Sequence, residues 1–288
     1  MIIVLTGPTG VGKSELAISL AEMLKGEIIN ADAFQVYEGL TIATAAPSEE
    51  MKKKVPHHLY SFVPLSEGYD IARYQKDCRE CIKEVLKKGH TPILVGGSGL
   101  YIRSALYDYD FSVDTSKVDL SPYLSLSEED LHRKLEELDP LEAKKIHPHN
   151  QRRVLRAIAI CLSSGKSKSE LIAEQSHKAI FESKFFALVK EREELYSHVE
   201  ERVETMFKNG LLEETIPLIE KYGRSAMAFK AIGVKELFPY IDGNATLEET
   251  KDLIKKNTRH YVKAQFSWFL HQFPIIEVSS LGDIIKSL

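Results

Sequence analysis

Apolar residues in the first hundred positions fall into two patterns. Ile2–Thr6, Glu27–Asn30 and Thr91–Val95 are short unbroken apolar runs, as expected of strands covered on both faces. Between them, Lys13–Leu24 and Asp70–Lys88 read as helices, the first ended by Gly26 and the second by Gly89. Strand alternating with helix predicts an α/β fold: a parallel sheet flanked by helices on both faces. From about Phe111 to Ile180 the strand pattern fades. Ser127 with Asp130 reads as a capping box opening a helix that carries Leu131, Leu135 and Leu138, and a second helix spans Gln151–Leu162, closing near Gly165. After a strand-like run at Phe185–Val189, helices are expected over Arg192–Lys208, Leu211–Tyr222 and Thr246–Phe269. The chain thus divides into a core, residues 1–111 and 181–288, and a small helical insertion, residues 112–180.

Composition narrows the class without changing this picture. With 43% hydrophobic and 28% charged residues among 288, the chain reads as a soluble globular protein. Its longest apolar runs are too short to span a membrane, and Met1 leads straight into a strand rather than a secretory signal. Three cysteines make no even disulfide framework, which fits a reducing, cytoplasmic setting. Cys78-x-x-Cys81 lies inside a helix without a second pair, and His57-His58 has no third ligand at metal spacing, so both read as packing residues. Trp268, Phe266 and Phe269 likewise read as core.

The first chemistry sits between strand and helix. Gly7-Pro8-Thr9-Gly10-Val11-Gly12-Lys13-Ser14 satisfies the P-loop pattern G-x-x-x-x-G-K-[ST] in the context it requires. Glycines let backbone N–H groups converge on an anion, the helix N-terminus adds positive potential, and Lys13 adds a full charge. The Ser14 hydroxyl can ligate Mg²⁺. The fold class is therefore a P-loop NTPase-like sheet, a nucleotide- and ATP-binding architecture whose motif does not by itself name the reaction.

Two other strand ends point at the same crevice. Asp32 follows the second strand, where open parallel sheets place ligand-facing residues; it reads as a general base or as a helix-capping carboxylate. The third strand runs into Gly96-Gly97-Ser98-Gly99 instead of the metal-holding Asp expected of a nucleotide hydrolase. This arrangement suits either close backbone approach to a ligand, with Ser98 as donor, or a structural turn.

Taken together, the GPTGVGKS loop, ADAFQVY, Pro56-His57-His58-Leu59, VGGSGLY, His147-Pro148-His149-Asn150-Gln151-Arg152-Arg153 and Thr258-Arg259-His260 with Gln265 resemble the tRNA dimethylallyltransferase family. The likeness runs from Met1 to about Trp268. It implies transfer of the dimethylallyl group of dimethylallyl pyrophosphate to N6 of a tRNA adenosine beside the anticodon, on its 3′ side. In that scheme the P-loop holds pyrophosphate and Lys13 is catalytic. Asp32 binds the adenine N6 and takes its proton, and Ser98 matches a threonine near the transfer site. The segment Asp32-Ala33-Phe34-Gln35, the residues Gln151, Arg152, Arg153 and Arg156, and Lys230, Gly233 and Lys235 fall on tRNA contacts. Mg²⁺ is the expected cofactor, tRNA the expected macromolecular partner, and a monomer the expected state. Ala43, Ala46 and Ala264 depart from the usual glycine, lysine and arginine, and Ala33 from a common serine.

Charge placement agrees with an RNA partner despite the net charge of −4. Ala143–Ser169 carries Lys144, Lys145, Arg152, Arg153, Arg156, Lys166 and Lys168 with no acid. Ile254–Ile276 carries Lys255, Lys256, Arg259 and Lys263, also without an acid. A solvated helix surface is the alternative for either window. The rival functions are a P-loop small-molecule or nucleotide kinase, an adenylate isopentenyltransferase acting on a free nucleotide, and a nucleotide switch that binds RNA.

Overall fold

A computed structural model describes residues 1–288. Its contacts divide the chain into two compact units, Met1–Leu106 with Phe181–Leu288, and Tyr107–Ile180.

The first unit is built on six parallel strands: β1 (Ile2–Thr6), β2 (Gly26–Asn30), β3 (His57–His58), β4 (Thr91–Val95), β5 (Ser183–Leu188) and β6 (Ile275–Val278), in spatial order β3-β2-β4-β1-β5-β6. Every residue of β1 and β2 is buried, as a parallel sheet covered on both faces requires. Ile3, Leu5, Ile28, Ile93 and Phe186 from the strands pack with Leu20 of the Lys13–Leu24 helix and Val199 of the Arg192–Lys208 helix. Register is regular, Val4 lying beside Leu94 on one side and Phe185 on the other. β1 therefore sits mid-sheet, and its carboxyl end opens between those of β4 and β5.

The alternating apolar pattern located the long elements, with differences where local chemistry prevailed. Lys25, not Gly26, ends the first helix, taking the left-handed conformation at φ 51°. Gly26 instead begins β2, where a Cβ would lie 2.7 Å from Ile93 Cδ1. β3 and β6 were not expected. Asp70 caps the Ile71–Lys87 helix by accepting the Arg73 N–H. Thr246 and Glu249 form a full capping box on the Leu247–Gln272 helix. No helix is long and apolar enough to cross a membrane.

The second unit packs the Glu128–Leu138 and Gln151–Ser164 helices through Leu131, Leu135, Val154 and Ile158. Ser127 caps the first of these by accepting the Asp130 N–H. The Asp130 carboxylate, however, pairs with the Ser127 hydroxyl rather than with its backbone, so the expected box is half formed.

Glu27 is a buried carboxylate at the amino-terminal end of β2. It meets His58 Nε2 at 2.6 Å, His90 Nδ1 at 2.6 Å and Lys88 Nζ at 3.1 Å. Burial pushes its pKa up, but the hydrogen bonds from His90, His58 and Lys88 outweigh this and bring it from 4.5 down to about 2. A carboxylate depressed in the folded state stabilises the fold above pH 4.5, and that contribution is lost as pH falls toward 2. Glu27→Gln is expected to lower stability at neutral pH and to flatten the acid dependence across that window, measured by urea unfolding at a series of pH values.

Candidate functional site

Residues Gly7–Ser14 join β1 to the first helix. Gly12 caps that helix at φ 98° with no side-chain cap, a conformation open to glycine and strained for other residues. The first-turn N–H groups are thus left for an anion. Gly7 also has to lack a side chain, since its Cβ would lie 2.7 Å from the Leu188 carbonyl oxygen. Lys13 Nζ donates to the carbonyls of Gly7 at 3.0 Å and Pro8 at 2.8 Å, folding back on its own loop. Burial lowers its pKa to about 8; Asp32 offsets this in part, and Arg202 adds to it.

Asp32 stands just past β2 on a pinned turn. Its N–H donates to Asn30 Oδ1 at 2.8 Å, while Asn30 Nδ2 donates to the carbonyls of Asp32 and Leu59 at 3.0 and 2.9 Å. One carboxylate oxygen accepts the Phe34 N–H at 2.9 Å, which fixes the plane of the group. The turn is tied to the β4 end as well: Ser98 N–H donates to Ala31 O at 3.0 Å, and Ser98 Oγ accepts the Ala33 N–H at 3.0 Å.

The glycines after β4 are explained by neighbours within the chain. A Cβ on Gly96 would lie 2.2 Å from the Ala31 carbonyl carbon, on Gly97 2.0 Å from Gln265 Nε2, and on Gly99 1.9 Å from the Trp268 ring. The close approach expected of a ligand is here made by protein atoms.

A cavity of about 640 Å³ unites these parts. Thr9, Gly10, Gly12, Lys13 and Ser14 form one wall, and Asp32, Phe34 and Gln35 another. Lys230 and Lys235 line it too, whereas Gly233, at φ 98°, is outside the lining, its N–H donating to Glu236 at 2.8 Å. Gln35 Nε2 is committed to the carbonyls of Thr44 and Ala45. Sequence reading missed Arg202, Tyr60 and Tyr261 in this wall. Burial lowers the Arg202 pKa, with Asp32 opposing that effect. Lys13, Arg202 and the Asp32 carboxylate, all half-buried, therefore share one chamber, suited to gripping an anionic leaving group beside a proton acceptor. Ser14 and Asp32 are hard oxygen donors of the type Mg²⁺ takes. Ser98, Ala33 and Trp268 line a second, smaller cavity that shares Gly97, Tyr261 and Gln265 with the first.

Gln151, Arg152, Arg153 and Arg156 belong to the second unit, where all four are exposed at the start of their helix. Arg156 donates to the Thr115 hydroxyl, and none of the three arginines joins an ion pair. Five of the other eight positive charges in the two acid-free windows are offset by acids from outside them. Lys145 and Lys168 pair with Glu142, and Lys166 with Glu174. Lys255 pairs with Glu204, and Arg259 with Glu200. Cys78 and Cys81 are buried free thiols on the Ile71–Lys87 helix.

The family described as IPP transferase matches residues 35–272. A tRNA dimethylallyltransferase from Anoxybacillus flavithermus is 43% identical over 286 residues, covering 99% of this chain and 92% of its own. The Bacillus subtilis protein of the same name is 38% identical, covering 95% and 89%. Among solved structures, the tRNA delta(2)-isopentenylpyrophosphate transferase of Staphylococcus epidermidis is similar with a TM-score of 0.73 at 34% identity, over 99% of this chain and 96% of that one. A eukaryotic dimethylallyltransferase acting on tRNA gives a TM-score of 0.84 at 30% identity, over 98% and 74%.

Proposed function

This chain belongs to the IPP transferase family, and on that premise we propose that it is a tRNA dimethylallyltransferase. It moves the dimethylallyl group of dimethylallyl pyrophosphate to N6 of an adenosine adjacent to the anticodon of tRNA, on the 3′ side. The observation that carries this reading is the single cavity in which the P-loop, Arg202 and the Asp32 carboxylate face one another.

An exocyclic amine is a weak nucleophile, so the reaction depends on a leaving group that departs easily. The allylic C–O bond breaks as the N6–C bond forms, and the electron pair of the broken bond leaves with pyrophosphate. Loop N–H groups, Lys13 and Arg202 stabilise the charge that gathers there. Asp32, fixed by the Phe34 N–H, receives the N6 proton. No group of three His, Cys, Asp or Glu side chains lies close enough to hold a metal alone. The Ser14 hydroxyl would therefore hold Mg²⁺ together with phosphate oxygens, the ion supplying further neutralisation of the leaving group. The adenine has to leave its stack to reach such a chamber, which favours a loop over a duplex. Exposed Arg152, Arg153 and Arg156 offer phosphate contacts to that RNA.

Purified protein incubated with unmodified tRNA, Mg²⁺ and radiolabelled dimethylallyl pyrophosphate is expected to place label on adenosine after nucleoside digestion. Label on free adenosine nucleotide but not on tRNA, or phosphoryl transfer from ATP with tRNA unaltered, would overturn the reading.

A further inference from the structure

Gln265 is 5% exposed on the Leu247–Gln272 helix, yet its carboxamide is spent entirely on the backbone of two loops. Oε1 accepts the Thr9 N–H at 3.1 Å, and Nε2 donates to the Gly97 carbonyl at 2.9 Å. Those two contacts fix which end of the amide is oxygen, because an N–H needs an acceptor and a carbonyl needs a donor. One turn earlier, the Tyr261 side chain lies beside those of Gln265 and Ser98. Ser98 in turn accepts the Ala33 N–H, next to Asp32. Two hydrogen bonds of Gln265, the Gly97–Ser98 peptide and the Ser98 hydroxyl thus connect Thr9 in the pyrophosphate loop to the backbone beside the proton acceptor. The same two helix residues face both cavities. Gly97 is shaped to this arrangement, since any side chain there would strike Gln265.

We propose that Gln265, assisted by Tyr261, is a positioning residue that sets the distance between the pyrophosphate loop and Asp32. A buried carboxamide with both ends satisfied is a geometric device, because an apolar side chain of similar volume would fill the same space without holding either loop. Group transfer is sensitive to such spacing: a misplacement of about 1 Å can lower the rate on the order of 10²-fold. Pyrophosphate affinity depends on Lys13, Arg202 and the loop N–H groups, none of which Gln265 replaces. Gln265 therefore acts on turnover and leaves leaving-group binding largely alone.

The inference rests on the transfer reading, and its test separates the two. Gln265→Met keeps the volume and removes both hydrogen bonds, while Tyr261→Phe removes only a hydroxyl. For each, kcat and KM are measured in the tRNA labelling assay, and Kd for inorganic pyrophosphate with Mg²⁺ by calorimetry. Gln265→Met is expected to lose about 10–100-fold in kcat, with Kd for pyrophosphate held within about threefold. Tyr261→Phe is expected to lose less, and the double variant less than the product of the two, as members of one network do. Unchanged kcat in both variants, or a fall in pyrophosphate affinity with kcat preserved, overturns the inference. Should Gln265→Met not fold, Tyr261→Phe decides by the same criteria. Absence of label on tRNA with the unaltered protein would instead overturn the transfer reading, and this inference with it.

Discussion

Asp32→Asn will bind pyrophosphate nearly as the unaltered protein does and transfer the allyl group about 10²–10⁴-fold more slowly, the range expected when a general base is removed. The substitution keeps the shape and the oxygen that accepts the Phe34 N–H, so the turn stays pinned by Asn30 and Ser98. What disappears is the negative charge and the capacity to take a proton. The loss should therefore fall on kcat, with KM for the allylic substrate little changed. Removing a carboxylate from a chamber with Lys13 and Arg202 also makes that chamber more positive, so pyrophosphate should bind at least as tightly. Single-turnover labelling and pyrophosphate calorimetry on the same preparation check both halves. Transfer within about threefold of the unaltered rate, against the loss expected of a base, would remove Asp32 from that role.

Lys13→Ala strikes the other side of the reaction. Lys13 is the mobile charge of the loop, and its free-state bonds to the Gly7 and Pro8 carbonyls are exchangeable for phosphate oxygens. Its removal is expected to weaken pyrophosphate binding and slow transfer by about 10²–10³-fold, as losing one preorganised donor to a developing anion does elsewhere. A pH signature accompanies it. With the Lys13 pKa at about 8 in the free protein, the charged form dominates below that value and fades above it. Pyrophosphate affinity should then decline as pH rises from 7 to 9 in the unaltered protein, and Lys13→Ala should lack that decline. Calorimetry at several pH values reads the difference directly.

Much of the fold could be read in the chain because a doubly covered parallel sheet leaves a strong mark: unbroken apolar strands alternating with amphipathic helices. β3 escaped because two histidines carry no period, and they become a strand only through pairing with Ile28 and Ile29. β6 escaped because only Val278 in it is buried. The loop Gly7–Ser14 announced itself, since its geometry is local. Arg202 did not, because Glu200, Glu201 and Glu204 surround it in sequence and mask one positive charge that the helix turns toward the cavity. Acid-free windows similarly misled as to free charge: sequence shows where acids are missing along the chain, not which distant acids arrive in space. Gln265 was visible only as part of a family likeness, since its two partners lie 256 and 168 residues away.

The packed turn after β4 has a consequence for how this protein can vary over descent. Positions 96, 97 and 99 each abut a different neighbour, namely the Ala31 backbone, the Gln265 amide and the Trp268 ring. Position 96 faces main chain, which no substitution elsewhere can shorten, so it is closed to drift. Positions 97 and 99 face side chains, and each can admit a methyl group only in a lineage that has already trimmed its counterpart on the long helix. Among diverging relatives, a side chain at 97 should therefore appear with a smaller residue at 265, and one at 99 with a smaller residue at 268.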